Sequence, residues 1–255
     1  MVQTLAAHRR DWDDLAKVDP LWAILSYADR KHGKWDFEEF LASGLREADD
    51  ILAVMKRCKF PIERHAALDF GCGVGRVTKG LRRHFESAVG VDISAEMVEQ
   101  AKAIAPECEF VQNEGQRLPF QDKAFDLVFS KYVLQHQPDR AVIKAYISEL
   151  FRVLKPGGLL YFQVRTALPS WKARMQIGRR LYSVLRAAGF SERTLYDRFK
   201  INPIRSTTIP EEDVMSFLET LGARTLGVER YSQGRGAGVV FCVSKWGYAQ
   251  TNAPG

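Results

Sequence analysis

The residues best suited to chemistry fall in two short runs. Asp69, Gly71, Gly73 and Gly75 lie in ALDFGCGVGRVTKGL, residues 67–81, and Asp92 lies in SAVGVDIS, residues 87–94. The apolar run ending in ALDF reads as a buried strand, and Val77 and Leu81 at helical spacing place a helix start within or just after the glycines. Glycines at such a turn permit positive φ and let a ligand approach the N–H groups that a helix start leaves unpaired. A nicotinamide dinucleotide site would space them G-x-G-x-x-G; here the third glycine comes one residue early. Asp92, 21 residues after Gly71, stands at the tip of the next strand. A carboxylate there accepts hydrogen bonds from a ribose diol and implies an adenosine cofactor. Asp92 could instead cap the helix AEMVEQAKAI, although Ser94 can supply that cap. Asp69 would repel a pyrophosphate and attract a cationic ligand.

Those side chains need strands to carry them. After the first two come CEFVQ, AFDLVFS and GGLLYFQV and, past a long interruption, GARTLGVERY and AGVVFCVSKW. Strands alternating with helical patterns predict right-handed βαβ units and a parallel sheet covered on both faces. Only the final pair, joined by SQGRGAG, reads as a hairpin. In such open α/β sheets ligands bind at the carboxyl ends of the strands, which gathers Asp69, Asp92, Glu114 and Ser130 into one crevice.

Taken in order from Ala66 to Val164, four segments resemble the motifs of class I S-adenosylmethionine-dependent methyltransferases of the small-molecule type: ALDFGCGVGR, VGVDISAEMVEQAK, NEGQRLPFQDKAFDLVFSKYVLQH and LFRVLKPGGLLYFQV. The resemblance implies an α/β fold whose seven-stranded, mostly parallel, doubly wound sheet ends in an antiparallel strand. Residues 1–60 and 165–210 fall outside the match; the first read as an N-terminal helical cap, and 61–255 as a cofactor domain carrying a helical insertion at 165–210 after the fifth strand. The resemblance implies S-adenosyl-L-methionine as cofactor. By the same resemblance Gly71, Gly73, Gly75 and Arg76 form the cofactor turn, and Asp69 steadies the methionine ammonium with backbone carbonyls near Ser130 and Lys131. Asp92 holds the ribose, Ile93 and Met97 flank the adenine, and Glu114, Gly115 and Gln116 meet its edge. Glu114 stands where the family more often has Asp. Arg46 is a candidate partner for the cofactor carboxylate.

A methyl group on positive sulfur is already activated, so geometry supplies much of the rate and a base is needed only for an acceptor that keeps its proton. His136 in VLQHQPD is the best candidate base; Tyr132 could orient an acceptor, and His32 is a weaker candidate. The fourth strand ends FSKYVL, without the Asp or Asn, Pro, Pro and aromatic run of nucleobase amino-methyltransferases, and no Pro-Cys pair offers a cytosine-methylase thiolate, so no DNA partner is expected. The expected activity is methyl transfer to a small molecule, with a hydroxyl oxygen preferred. Transfer to nitrogen or carbon of a small molecule or lipid, and non-catalytic binding of the cofactor, are the alternatives. The Y-x-x-x-K spacing of Tyr196 and Lys200, a reductase signal, lies in the insertion and reads as chance.

Composition agrees. Cys58, Cys72, Cys108 and Cys242 show no C-x-x-C pair, which predicts reduced thiols and no metal site. The N-terminal run MVQTLAAHRRDWDDLA lacks the apolar core of a signal peptide, and no run of about 18 apolar residues exists to span a bilayer, so a cytoplasmic protein is expected. The N-terminal segment is aromatic, with Trp12, Trp22, Tyr27, Trp35, Phe37 and Phe40. These could wall a pocket or simply dock the segment on the sheet. Of a net charge of +6, residues 165–205 carry ten cations and two acids, a net +8, and the rest of the chain a net −2. A helix over 171–188 would place Trp171, Met175, Ile177, Leu181, Tyr182, Val184, Leu185 and Ala188 on one side, and Lys172, Arg179, Arg180 and Arg186 on the other. Three readings follow: a cap helix with its apolar face packed inward and its arginines in solvent, attraction of an anionic substrate, or peripheral attachment to an anionic membrane surface or RNA.

Overall fold

In a computed structural model, residues 5–57, 60–168, 177–233 and 236–246 are described. Seven strands form one sheet: β1 (Ala66–Phe70), β2 (Ser87–Asp92), β3 (Glu109–Gln112), β4 (Phe125–Ser130), β5 (Leu154–Ala167), β6 (Ala223–Gln233) and β7 (Gly236–Lys245). Their spatial order is β3-β2-β1-β4-β5-β7-β6. The first five pair in parallel, while β7 runs antiparallel to both its neighbours, β5 and β6. The doubly wound sheet with its antiparallel last strand thus agrees with the expectation. Central strands buried on both faces must be apolar throughout, as every residue of β4 is buried. Two polar residues, Asp126 and Ser130, are the exceptions; Asp126 accepts from the backbone N–H groups of His65 and Ala66 and from Lys155 Nζ, and so fixes where β1 and β5 begin beside β4.

Nine α-helices are present among the described residues: α1 (Leu5–Val18), α2 (Pro20–Ile24), α3 (Phe37–Arg57), α4 (Arg76–Leu81), α5 (Ala95–Ile104), α6 (Arg140–Val153), α7 (Ile177–Ala187), α8 (Glu192–Asp197) and α9 (Glu211–Thr220). On one face of the sheet, Ile143, Ile147 and Leu150 of α6 and Val214 and Leu218 of α9 pack on β4, β5 and β7. On the other, Ala48, Ile51 and Met55 of α3 and Val77 and Leu81 of α4 cover the same strands. The crossing of α3 and α4 needs small residues, because a Cβ on Gly80 would meet the Ala48 Cβ and the Gly44 carbonyl oxygen at 2.8 Å. Cys72, Cys108 and Cys242 are free thiols; Cys58 lies outside the described residues.

The N-terminal helices and the insertion meet above the carboxyl ends of the strands. Leu15, Ala16, Ala23 and Leu25 pack with Val74 of the glycine turn and Met97 of α5. Asp14 of α1 accepts from Tyr182 Oη at 2.9 Å and from Arg186 Nε and Nη2 at 3.0 and 3.2 Å, Asp11 pairs with Arg179 at 3.8 Å, and Asp19 accepts from Tyr196 Oη at 2.6 Å. These contacts correct the expectation of an inward apolar face on the 171–188 helix. The arginines and Tyr182 of α7 turn toward the acids of α1, while Ile177, Leu181 and Val184 are exposed. Trp171, Lys172 and Met175 lie outside the described residues. Tyr196 packs beneath Trp22 and Lys31 as part of this junction, away from the strand ends.

Candidate active site

The turn after β1 is built as its glycines require. Gly71, Gly73 and Gly75 all have positive φ, at 77°, 54° and 83°. A Cβ on Gly73 would meet Ile24 Cδ1 of α2 at 2.5 Å, so the cap closes directly on this turn. The turn forms one end of a cavity that runs past the tips of β2 and β4 to His136.

Two carboxylates stand in its wall. Asp92 accepts from the backbone N–H of Gly73 through Oδ2 and of Ser94 through Oδ1, both at 2.9 Å, which ties β2 to the turn after β1. Ser94 caps α5 by accepting from Met97 N–H, so Asp92 is not the cap. Desolvation raises the Asp92 carboxyl, and backbone hydrogen bonds oppose it. Asp69, 3 % exposed, accepts from Thr78 Oγ1 at 2.7 Å. Burial pushes its carboxyl up to about 6, against the lowering effects of Thr78 and Arg76. Beside them Arg76 Nη2 lies 3.7 Å and Lys131 Nζ 2.5 Å from the two oxygens of Glu47, on α3. Burial acts to lower Lys131, but Glu47 and nearby groups reverse it, and the ammonium sits above its ordinary range. Glu47 was invisible to sequence reading, because only the crossing of α3 over α4 brings it to the site.

At the adenine end Ile93 and Met97 line the wall, while Glu114, Gly115 and Gln116 do not. The ladder explains the offset. Asn113 N–H donates to the Asp92 carbonyl, continuing the β2–β3 pairing by one residue, so alternation turns the Asn113 side chain inward and Glu114 outward. Glu114 and Gln116 are exposed. Asn113 Oδ1 is buried with no hydrogen-bond partner, an acceptor suited to an exocyclic amine. Arg46 is also corrected: it is exposed on α3, and Arg76 is the arginine in the wall. The carboxylate pair, this orphaned acceptor and the cationic Arg76 match the diol, amine and carboxylate of S-adenosylmethionine. The residues present fit the group.

The far end holds Tyr132, His136, His8 and Trp12. Tyr132 adopts φ 63°, a strained conformation for a tyrosine. Its N–H donates to Gln163 Oε1 at 3.2 Å, and Gln163 Nε2 in turn donates to Tyr231 Oη. Burial raises the Tyr132 phenol, which stays protonated at neutral pH. Ser130 Oγ is buried at the end of β4 without a partner. His136 Nδ1 lies 2.5 Å from the Arg205 carbonyl, which can only accept, so Nδ1 carries the proton and Nε2 accepts from Gln135 Nε2 at 3.1 Å. Burial, with a smaller effect from Arg165, holds His136 down at about 4. Burial, then His136, Arg205 and Arg179, hold His8 at about 3. Both rings are neutral in a positively charged surround. His32 takes no part; its N–H donates to Asp19 at the cap junction. Among the described residues no group of His, Cys, Asp and Glu could hold a metal ion.

Residues 68–162 match the family model described as "Methyltransferase domain". A curated relative, trans-aconitate 2-methyltransferase from an Azoarcus species, is 35 % identical over 51 % of this chain and 50 % of its own. A malonyl-[acyl-carrier protein] O-methyltransferase from Enterobacter lignolyticus is 31 % identical over 50 % of this chain and 51 % of its own. The chain thus spans about half the length of the curated relatives it matches. A magnesium protoporphyrin IX methyltransferase structure from Synechocystis superposes with a TM-score of 0.62 at 18 % identity, covering 95 % of this chain and all of that one. The matched segment is thus similar to methyltransferase domains, and the chain shares the fold of the solved methyltransferase.

Proposed function

We propose that the chain binds S-adenosylmethionine along the cavity and transfers its methyl group to an ionised oxygen, a carboxylate, of a small-molecule acceptor. The observation that carries the acceptor class is His136. A hydroxyl acceptor needs a base near neutrality, and His136 has a low proton affinity with both nitrogens already engaged. A carboxylate needs none. His8 is depressed first by burial and then by His136, Arg205 and Arg179, and the two arginines favour an anionic acceptor in the same place.

When bound, the cofactor supplies a methyl group on positive sulfur, open to displacement by an oxygen lone pair. The chain's part is to hold and exclude. Asp69 attracts the ammonium, Arg76 the carboxylate, Asp92 the ribose diol, and Asn113 Oδ1 the adenine amine. Tyr132 and His136 fix the acceptor's approach, and Trp12 and Ile24 keep water out. The relatives named for trans-aconitate and for malonyl-carrier O-methylation support the oxygen reading.

The test is product analysis by mass spectrometry with matched aliphatic carboxylates, phenols and alcohols, using wild type and His136→Gln. Carboxylate esters should form, and His136→Gln should keep turnover within about tenfold. Methylation confined to hydroxyls, with a loss on the order of 10²-fold in the variant, would restore His136 as a base.

A further inference from the structure

The insertion is assembled with its amphipathicity reversed. On α7 the side that packs against the protein is polar: Arg179, Tyr182 and Arg186 meet Asp11 and Asp14 of α1, and Arg186 Nη2 also reaches Glu192 at 3.0 Å. The side turned to solvent is apolar. Ile177, Leu181 and Val184, 51 %, 46 % and 65 % exposed, recur at the four- and three-residue intervals of one helical face. The segment after the helix exposes two further apolar side chains, Phe190 and Phe199, whose rings meet edge to face at 5.8 Å. Around this face stand the exposed cations Arg180, Arg193, Arg198 and Lys200. Of the neighbouring acids, Glu192 is turned into the Arg186 bridge, which leaves Asp197 beside Arg193 and His32.

We propose that this face docks on the surface of a bilayer containing anionic phospholipid, with Ile177, Leu181, Val184, Phe190 and Phe199 entering the boundary between headgroups and acyl chains. Its arginines lie level with the phosphates. The balance of apolar stripe and basic rim is that of a helix lying in an interface, and each basic residue near an anionic leaflet strengthens binding by about fivefold. The charge also argues against a second copy of the chain as occupant. An isologous dimer through this face would bring together two sets of Arg180, Arg193 and Arg198 with Asp197 as the one exposed acid of each set to offset them. The docking face is separate from the cavity wall, so it stands whatever the acceptor is.

The experiment is co-sedimentation of the full chain with vesicles of phosphatidylcholine alone and with one-third phosphatidylglycerol, between 50 and 200 mM salt. The wild type should bind the anionic vesicles at 50 mM and leave the neutral ones. Leu181→Ser with Val184→Ser should weaken binding more than tenfold, and Arg180→Gln about fivefold. Affinity for S-adenosylhomocysteine should be unchanged in both, which shows that they remain folded. No binding to anionic vesicles at 50 mM salt would overturn the proposal. So would binding lost with salt yet indifferent to the serine pair, which marks a merely polyanion-binding patch. A wild-type dimer by light scattering that dissociates in the serine variant would assign the face to a second copy instead.

Discussion

Asp69 titrates where few carboxylates do, and on the proposed assignment this ties cofactor affinity to pH. Burial holds its carboxyl at about 6, against 3.8 when exposed. An ammonium is attracted only by the ionised form, so the apparent dissociation constant should rise by the factor 1 + 10^(6−pH) as the pH falls. That factor is about 1 at pH 7.5 and about 11 at pH 5, a loss of roughly 1.4 kcal/mol. His8 and His136, held at about 3 and about 4, are neutral throughout this window and add no slope. Asp92 is raised as well, so Asp69→Asn provides the discrimination. Asn keeps an acceptor for Thr78 Oγ1 but cannot titrate. Calorimetry with S-adenosylhomocysteine from pH 5 to 7.5 should give a tenfold pH effect in wild type and none in Asp69→Asn, whose binding at pH 7.5 should be about ten- to a hundredfold weaker for want of one charge-assisted bond. A flat wild type, or the same slope in the variant, refutes the argument. The sign for folding is opposite. The ligand-free native state keeps a proton that the unfolded chain releases between 3.8 and about 6, so stability falls by up to about 3 kcal/mol as the pH rises through that interval.

Asp14→Asn should loosen the seam between α1 and α7, lowering stability in urea by about 1–3 kcal/mol and speeding proteolysis within the insertion; unchanged unfolding and cleavage would show the seam to be energetically idle. Gln163→Leu removes the acceptor for the strained Tyr132 N–H, and turnover should drop at least tenfold by steady-state assay while S-adenosylhomocysteine affinity stays within about threefold.

The parts legible in the sequence were those settled by local chemistry. Glycines that must take positive φ, the carboxylates at the ends of β1 and β2, and a serine at a helix start each declare themselves within a few residues. Asn113 was missed because the ladder outlasts the recognisable strand by one residue, and period two then exchanges which of Asn113 and Glu114 looks inward. Arg46 and Arg76 are equally basic in sequence; only the α3–α4 crossing puts one in the wall and the other in solvent. The periodicity of α7 defines two faces but not which is inside. That depends on Asp11 and Asp14, whose carboxylates reach α7 only in the folded chain. The tautomer of His136 likewise depends on the Arg205 carbonyl, 69 positions away, and its low proton affinity on burial in the folded chain.

Asp14 reaches Tyr182 and Arg186 across 168 and 172 positions of chain. Contacts of such separation close very long loops, so they form after the local helices and the parallel sheet have given their return in buried surface. On the ribosome α1 emerges first and can pack on the glycine turn and α5 before α7 exists, but Asp14 must wait for α7 before it has its partners. The same ordering, run backward, makes this seam the first to part under native conditions. The sheet, with α3, α4 and the tips that carry Asp69 and Asp92, belongs to a core of its own and stays assembled when the seam opens. Hydrogen exchange should therefore divide the molecule into two cooperative units whose boundary runs through the cavity.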